Sequence, residues 1–374
     1  MDPLDVRAET PGFVECCYLN TGASGPSPRR VVEASADFER RHKLDSPCGD
    51  GMYATAREAM EDARETVASF LGATPDEIAL TRSTVESVNH VAMGLEFEPG
   101  DVVVRTDLEH PAGELPWSRL RDRYGIEIRG VATENGRLDM DTLADAIADA
   151  RLVCLSSVTW NYGTELPISD VVEVAHEAGA LVLVDAVQSV GQTDVDVDEW
   201  GADFVAASGH KWLLGPWGSG MLYVSSDVLP QLTPERIGYF SVEKDCPYSL
   251  DTDAYRFRDS ARRFELGTTA VSPYVALETA IETIEGVGLE TVESRIQSLT
   301  DRLKDGLGDR LVSPRDSASG LVTFDAEHPE QLVERLDEED IRIRWLPDPH
   351  ACRASVHAFN TESDVDRLLS ALDV

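Results

Sequence analysis

Lysine is scarce in this chain of 374 residues. It occurs at Lys43, Lys211, Lys244 and Lys304, and arginine supplies the rest of the 33 basic residues. Against these stand 69 acidic residues, for a net charge of −36. The acid is spread along the chain rather than gathered in a tail. Nucleic acid and anionic membranes are bound by basic patches, so this balance argues against both as partners. A dispersed acidic surface with little lysine suits a cytoplasm of high salt, where ions screen the self-repulsion.

Other features are missing too. No run of eighteen apolar residues occurs, so no membrane-spanning helix is expected. The start, Met1-Asp2-Pro3-Leu4-Asp5, lacks the basic and apolar regions of a signal peptide, and a cytoplasmic location is expected. Cys16, Cys17, Cys48, Cys154, Cys246 and Cys352 form no Cys-x-x-Cys pair, so free thiols and no metal site are expected. No Gly-x-Gly-x-x-Gly follows the early strands, which excludes a dinucleotide-binding dehydrogenase.

What is present is a large apolar complement, 42% of the residues, in a strand–helix alternation. The pattern predicts strands over Glu77–Thr81, Asp101–Arg105, Ile126–Val131, Leu152–Val158, Leu181–Val184, Phe204–Ala207 and Gly220–Val224. Helices are expected over Thr84–Leu95, Gly113–Arg123, Met140–Ala150 and Ile168–Ala178. Buried strands separated by amphipathic helices predict an α/β fold with a mostly parallel sheet covered on both faces. After Ser272 the pattern changes to long helices over Ser272–Glu285 and Glu290–Leu307. A small α+β unit then follows, with strands at Leu321–Phe324, Ile341–Trp345 and Arg353–Ala358. The expected division is a large domain over 26–285 and a smaller one made of 1–25 and 286–374.

Two segments carry chemistry. In Ser208-Gly209-His210-Lys211-Trp212 a lysine follows a buried strand. A lysine near a core is costly unless neutral or paired, and a desolvated amine is a good nucleophile and proton carrier. Alone, the segment reads equally as a surface lysine in a glycine-rich turn. In Val182-Leu183-Val184-Asp185-Ala186-Val187-Gln188 an acid ends an apolar strand, where ligands bind in open α/β sheets. Alone, Asp185 reads best as a helix cap.

Together with Arg263-Phe-Glu-x-Gly-Thr268 and Arg353-Ala-Ser-Val-His-Ala-Phe-Asn-Thr361, they make the sequence resemble the class V aminotransferase family from about Tyr18 to Leu372. The branch in question holds cysteine desulfurases, selenocysteine lyases, cystine lyase and isopenicillin N epimerase. The resemblance implies fold type I of the pyridoxal-phosphate (PLP) enzymes, with a seven-stranded large-domain sheet. It implies that Lys211 carries the cofactor as a Schiff base, Asp185 holds the pyridine nitrogen and Gln188 meets the ring hydroxyl. His110 would stack on the ring and act with Lys211 in catalysis. Ser208, His210 and the segment Arg82-Ser83-Thr84-Val85-Glu86 would hold the phosphate. The family usually has a threonine where Val85 falls, so Thr84 would supply the hydroxyl. Thr268 would reach the phosphate of a partner subunit, which implies a homodimer with shared active sites. Arg353 would grip the carboxylate of an amino-acid substrate. In Val158-Thr159-Trp160-Asn161-Tyr162-Gly163, Trp160 takes the place of the desulfurase asparagine, and Asn161 is the neighbouring candidate contact.

Desulfurases place a mobile cysteine on a loop ahead of the carboxylate arginine. Here only Leu346–Cys352 separates Trp345 from Arg353, so the loop is read as deleted. Cys352 would be fixed by its strand, and Cys48 has no positive support as a nucleophile. The expected reaction is cleavage of a carbon–sulfur or carbon–selenium bond in a cysteine-type amino acid. Transamination or epimerisation is the alternative within the family. A catalytically silent paralogue is the alternative outside it.

Overall fold

The computed structural model describes residues 1–243 and 255–373, so Lys244 and Cys246 lie outside the described residues. The strands in chain order are β1 (Cys17–Tyr18), β2 (Ile78–Thr81), β3 (Val102–Thr106), β4 (Glu127–Val131), β5 (Ala150–Ser156) and β6 (Leu181–Asp185). They continue with β7 (Phe204–Ser208), β8 (Gly220–Val224), β9 (Leu321–Phe324), β10 (Ile341–Arg342), β11 (Arg344–Pro347) and β12 (His350–Ser355).

Seven of these form one sheet in the order β2-β8-β7-β6-β5-β3-β4. Strands β4, β3, β5, β6 and β7 run parallel, and β8 is antiparallel to both β7 and β2. The central strands are apolar on both sides because both faces are covered. On β5, Val153 and Leu155 join one core while Leu152 and Cys154 join the core on the opposite face. Chain order reverses between β3 and β5, and the crevice beyond the carboxyl ends of strands at such a point is where ligands bind.

A three-stranded antiparallel sheet, β11-β12-β9, stands apart with its own core. The N-terminal segment joins it: β1 pairs in parallel with β10, and Asn20 bridges Ser355. The helix Leu289–Leu307 supplies Leu299, Leu303 and Leu307 to this core at helical spacing.

Two strand expectations are corrected here. The stretch Ile341–Trp345 is two short strands on different sheets, broken at Ile343. Its period-two burial slips at Trp345: Ile341 and Ile343 are buried, Trp345 is exposed and Leu346 is buried. The stretch Arg353–Ala358 is strand only to Ser355. Beyond it the backbone turns, with Val356 N–H donating to Gly320 O and His357 N–H to Asn360 Oδ1.

Candidate active site

Each strand end delivers its residue for a local reason. After β3 the chain reaches His110, which caps the helix Pro111–Tyr124. Its Nδ1 accepts from Ala112 N–H at 3.2 Å, so the neutral ring carries its proton on Nε2. After β5 comes Trp160, whose ring meets His110 edge-on at 5.3 Å. Asp185 is the last residue of β6, and Ser208 the last of β7. The helix Thr84–Gly94 starts beneath, with Ser83 accepting from Glu86 N–H.

These ends converge on one cavity. It is lined by Thr84, Val85, His110, Asp185, Gln188, Ser208, His210, Lys211 and Arg353, together with Gly22, Ala23, Trp160 and Arg344. The N-terminal loop closes on the lysine turn: Gly25 N–H donates to His210 O at 2.8 Å. A Cβ on Gly25 would stand 2.2 Å from Lys211 O, so no larger residue fits there.

Burial and charge set the chemistry. Lys211 is pushed down to about 8, first by burial and then by Arg353 and Arg344, while Asp185 opposes. His110 and His210 are each pushed down to about 4, by burial and then by Lys211, which keeps both rings neutral near pH 7. Asp185 is 3% exposed and raised by burial, against a 3.0 Å bond from Val187 N–H and the charge of Lys211. Arg353 is fully buried. Its Nη1 donates to Trp160 O, while its Nε and Nη2, and Trp160 Nε1, find no acceptor among the described residues.

The cavity thus gathers Lys211, Arg344 and Arg353 around a single carboxylate, in a protein of net charge −36. Unpartnered buried donors are costly, so the arrangement fits an anionic ligand. A pyridoxal phosphate fits on these grounds. Its phosphate would meet Thr84, Val85, Ser208 and His210, its ring nitrogen Asp185, and its aldehyde Lys211. A substrate carboxylate would meet Arg353.

Most of the expected site residues stand together. Thr84 N–H and Oγ1 both lie 2.7 Å from Ser208 Oγ, which ties the two phosphate candidates to each other. The Gln188 amide is held at both ends, donating to Gly22 O at 3.0 Å and accepting from Trp212 Nε1 at 2.8 Å. Asn161 does not line the cavity, and its Oδ1 accepts from Tyr162 N–H instead. Thr268 lies on the wall of a second, larger cavity with Tyr239, whose hydroxyl is 2.5 Å from Thr268 Oγ1. Arg344 was absent from the sequence expectations. It is the cross-strand partner of Arg353 on the hairpin β11–β12, a register that the short turn at Asp348-Pro349 sets.

Comparison with known proteins agrees. The family model "Aminotransferase class-V" matches residues 17–368. The chain belongs to the class V aminotransferase family. A probable cysteine desulfurase of Pyrococcus abyssi is 32% identical over 99% of this chain and 97% of its own length. The apo structure of a cysteine desulfurase from Thermococcus onnurineus superposes with a TM-score of 0.91 at 31% identity, covering 99% of this chain and 96% of that one. The cystine C–S lyase C-DES, solved with its product cysteine persulfide, gives 0.90 at 27% identity over 97% and 98% of the two chains. A C-DES mutant with glycine covalently linked to its PLP gives 0.92 at 27% identity over 98% of each. This class V family member is therefore a PLP-dependent enzyme of fold type I.

Proposed function

We propose that the enzyme is a C–S lyase, cleaving the Cβ–S bond of a cysteine-type amino acid by elimination without a catalytic thiol. The observation that carries this reading is the hairpin β11–β12. It sends Arg344 and Arg353 into the cavity and turns Cys352 away. Cys352 is fully buried in the small sheet's core, and burial raises its thiol to about 12. Such a thiol neither moves nor ionises, so it is unsuited to attack sulfur.

Bound pyridoxal phosphate supplies a carbonyl for the substrate amine and an electron sink for the carbanion. The residues do the rest. Arg353 binds the α-carboxylate and aims the Cα–H bond. Lys211 Nζ takes the Cα proton. Asp185 would hold the pyridine nitrogen, and neutral His110 would lie against the ring. Gln188 would stand toward the ring hydroxyl. Arg344, 6.0 Å over the Trp160 ring, is placed for a second acid group on the substrate. A disulfide such as cystine has one. Elimination from cystine with water gives pyruvate, ammonia and cysteine persulfide.

Product analysis tests this reading. With L-cystine the holoenzyme should yield pyruvate and persulfide, and Cys48→Ala and Cys352→Ala should keep the rate within about two-fold, as surface or non-contacting changes do. Alanine as the amino-acid product, lost in either variant, would replace the lyase by a desulfurase.

The oligomer and the setting are also proposals. Thr268 is exposed and outside its own chain's site, which supports a homodimer in which it meets the partner's phosphate. A second core built from Cys17, Leu19 and residues between Leu299 and Leu372 supports the division into 26–285 and 1–25 with 286–374, while Val6, Phe13, Leu321 and Phe359 pack into the large core across that boundary. The five described cysteines are free, which fits a cytoplasmic enzyme. Many surface arginines already face acids, as in Arg302–Asp366 and Arg137–Asp316, so the excess acid is left to solvent ions. Screening reaches roughly 10 Å at 0.1 M salt and roughly 3 Å at 1 M. Sedimentation and circular dichroism over a salt series should show a folded dimer at about 1 M or above and its loss near 0.1 M. A folded, active dimer in dilute buffer would refute the halophilic reading.

A further inference from the structure

Glu109 sits beside the site yet plays no part in the chemistry above. It immediately precedes His110 and points the other way. His110 opens on the cavity, while Glu109 is 4% exposed. Its Oε1 accepts from Thr106 Oγ1 at 2.6 Å, and its Oε2 from Ser156 Oγ at 2.7 Å. Thr106 and Ser156 are the last residues of β3 and β5, so one carboxyl clasps both strands at the reversal of chain order. Ser156 is in turn the cross-strand partner of Asp185.

No cation is paired with Glu109 among the described residues. The titratable neighbours are Asp185 from β6, Cys154 from β5 and His110 beside it in sequence. Arg105 on β3 is engaged by Glu114 at 2.6 Å. From the helix Pro111–Tyr124, Gly113 presents no side chain, and a Cβ built there would lie 3.6 Å from Glu109 Oε2. A carboxyl so enclosed, with two hydroxyls and the Ser156 backbone N–H as donors but no paired cation, disfavours its charged form. Burial, then Asp185, raises it to about 7 against the two hydroxyl bonds and the Ser156 backbone N–H.

We propose that Glu109 is a positioning residue: its uncharged carboxyl fixes the ends of β3 and β5, and with them His110 and Asp185, and its ionisation places a second negative charge behind Asp185. That charge strengthens the hold of Asp185 on a proton, and therefore on the protonated ring nitrogen it would face when the cofactor is bound. The proposal is independent of which bond the enzyme cleaves.

Absorption of the bound cofactor reads this without turnover. Glu109→Gln keeps the shape and one acceptor but cannot ionise. The holoprotein spectrum, titrated from pH 5.5 to 9, should show an inflection near 7 that E109Q lacks, the variant keeping the low-pH spectrum throughout. Ser156→Ala removes a donor to the charged form and should move the inflection to higher pH. The pH profile of kcat should follow the spectra in each protein. Coincident curves for the wild type and E109Q overturn the proposal, as does an inflection that Ser156→Ala leaves in place. Should E109Q fail to hold cofactor, Glu109→Asp replaces it, with an inflection displaced from the wild-type value expected and an unmoved one refuting.

Discussion

Lys211→Ala should leave pyridoxal phosphate bound without its covalent absorption band and lower kcat by roughly 10³-fold or more, since both a nucleophile and a general base are lost. The residue stands at the end of β7 in a turn whose Leu214 takes a φ of 57°, a conformation uncommon for a side chain of that size. Burial with Arg344 and Arg353 nearby disfavours the ammonium, and this has a consequence in the apoprotein. The unfolded chain holds the Lys211 proton up to about 10.5, and the folded chain only to about 8. Between those values the unfolded state binds more protons, so stability rises with pH. Below about 8 both states are charged and the folded one bears the full cost. Apo Lys211→Ala, which lacks that cost, should melt above the wild type at pH 7, and the gap should narrow as pH approaches 10.5. Differential scanning calorimetry without cofactor measures this. A wild-type advantage at pH 7 would show that the lysine is solvated in the apoprotein.

The residues that sequence revealed share one property: their role follows from position on a single element. Lys211 lies three residues past the strand β7 and Asp185 ends the run of β6, and a run of Leu-Val-Leu-Val followed by an acid places that acid at the carboxyl edge whatever the strand order. Arg344 could not be found that way. Its place depends on pairing across β11–β12, and the burial pattern that would have signalled the break at Ile343 is hidden by a continuous run of strand-forming residues. Glu109 is not legible in the sequence, because nothing local distinguishes a glutamate that enters the core from one that faces solvent. Trp160 and Asn161 differ by one position, and the backbone decides between them: Trp160 lines the cavity and Asn161 turns away. Arg353 was legible from its motif, but its unpartnered nitrogens were not, because they reflect what the fold leaves undone.

Arg353→Ala should raise KM for every substrate, with a loss in kcat/KM of about 2–5 kcal/mol, roughly 30-fold to several-thousand-fold. The guanidinium is fully buried and has two nitrogens without acceptors among the described residues, so a carboxylate meeting them gains paired charge-assisted bonds in a site shielded from water. Arg353→Lys should not restore the rate, because a single ammonium cannot reproduce the planar pair of donors. Arg344 makes the more discriminating test. It lies opposite Arg353 on the hairpin, less buried, and reaches the same cavity from the outer strand. If it receives a second acid group, Arg344→Ala should weaken L-cystine by about ten-fold or more while altering L-cysteine little, since only the larger substrate has a carboxylate to lose. Steady-state kinetics on both substrates separates the cases. Equal losses would assign Arg344 to the α-carboxylate or to general attraction of anions. A loss confined to cystine would make the two-arginine hairpin the element that selects substrate.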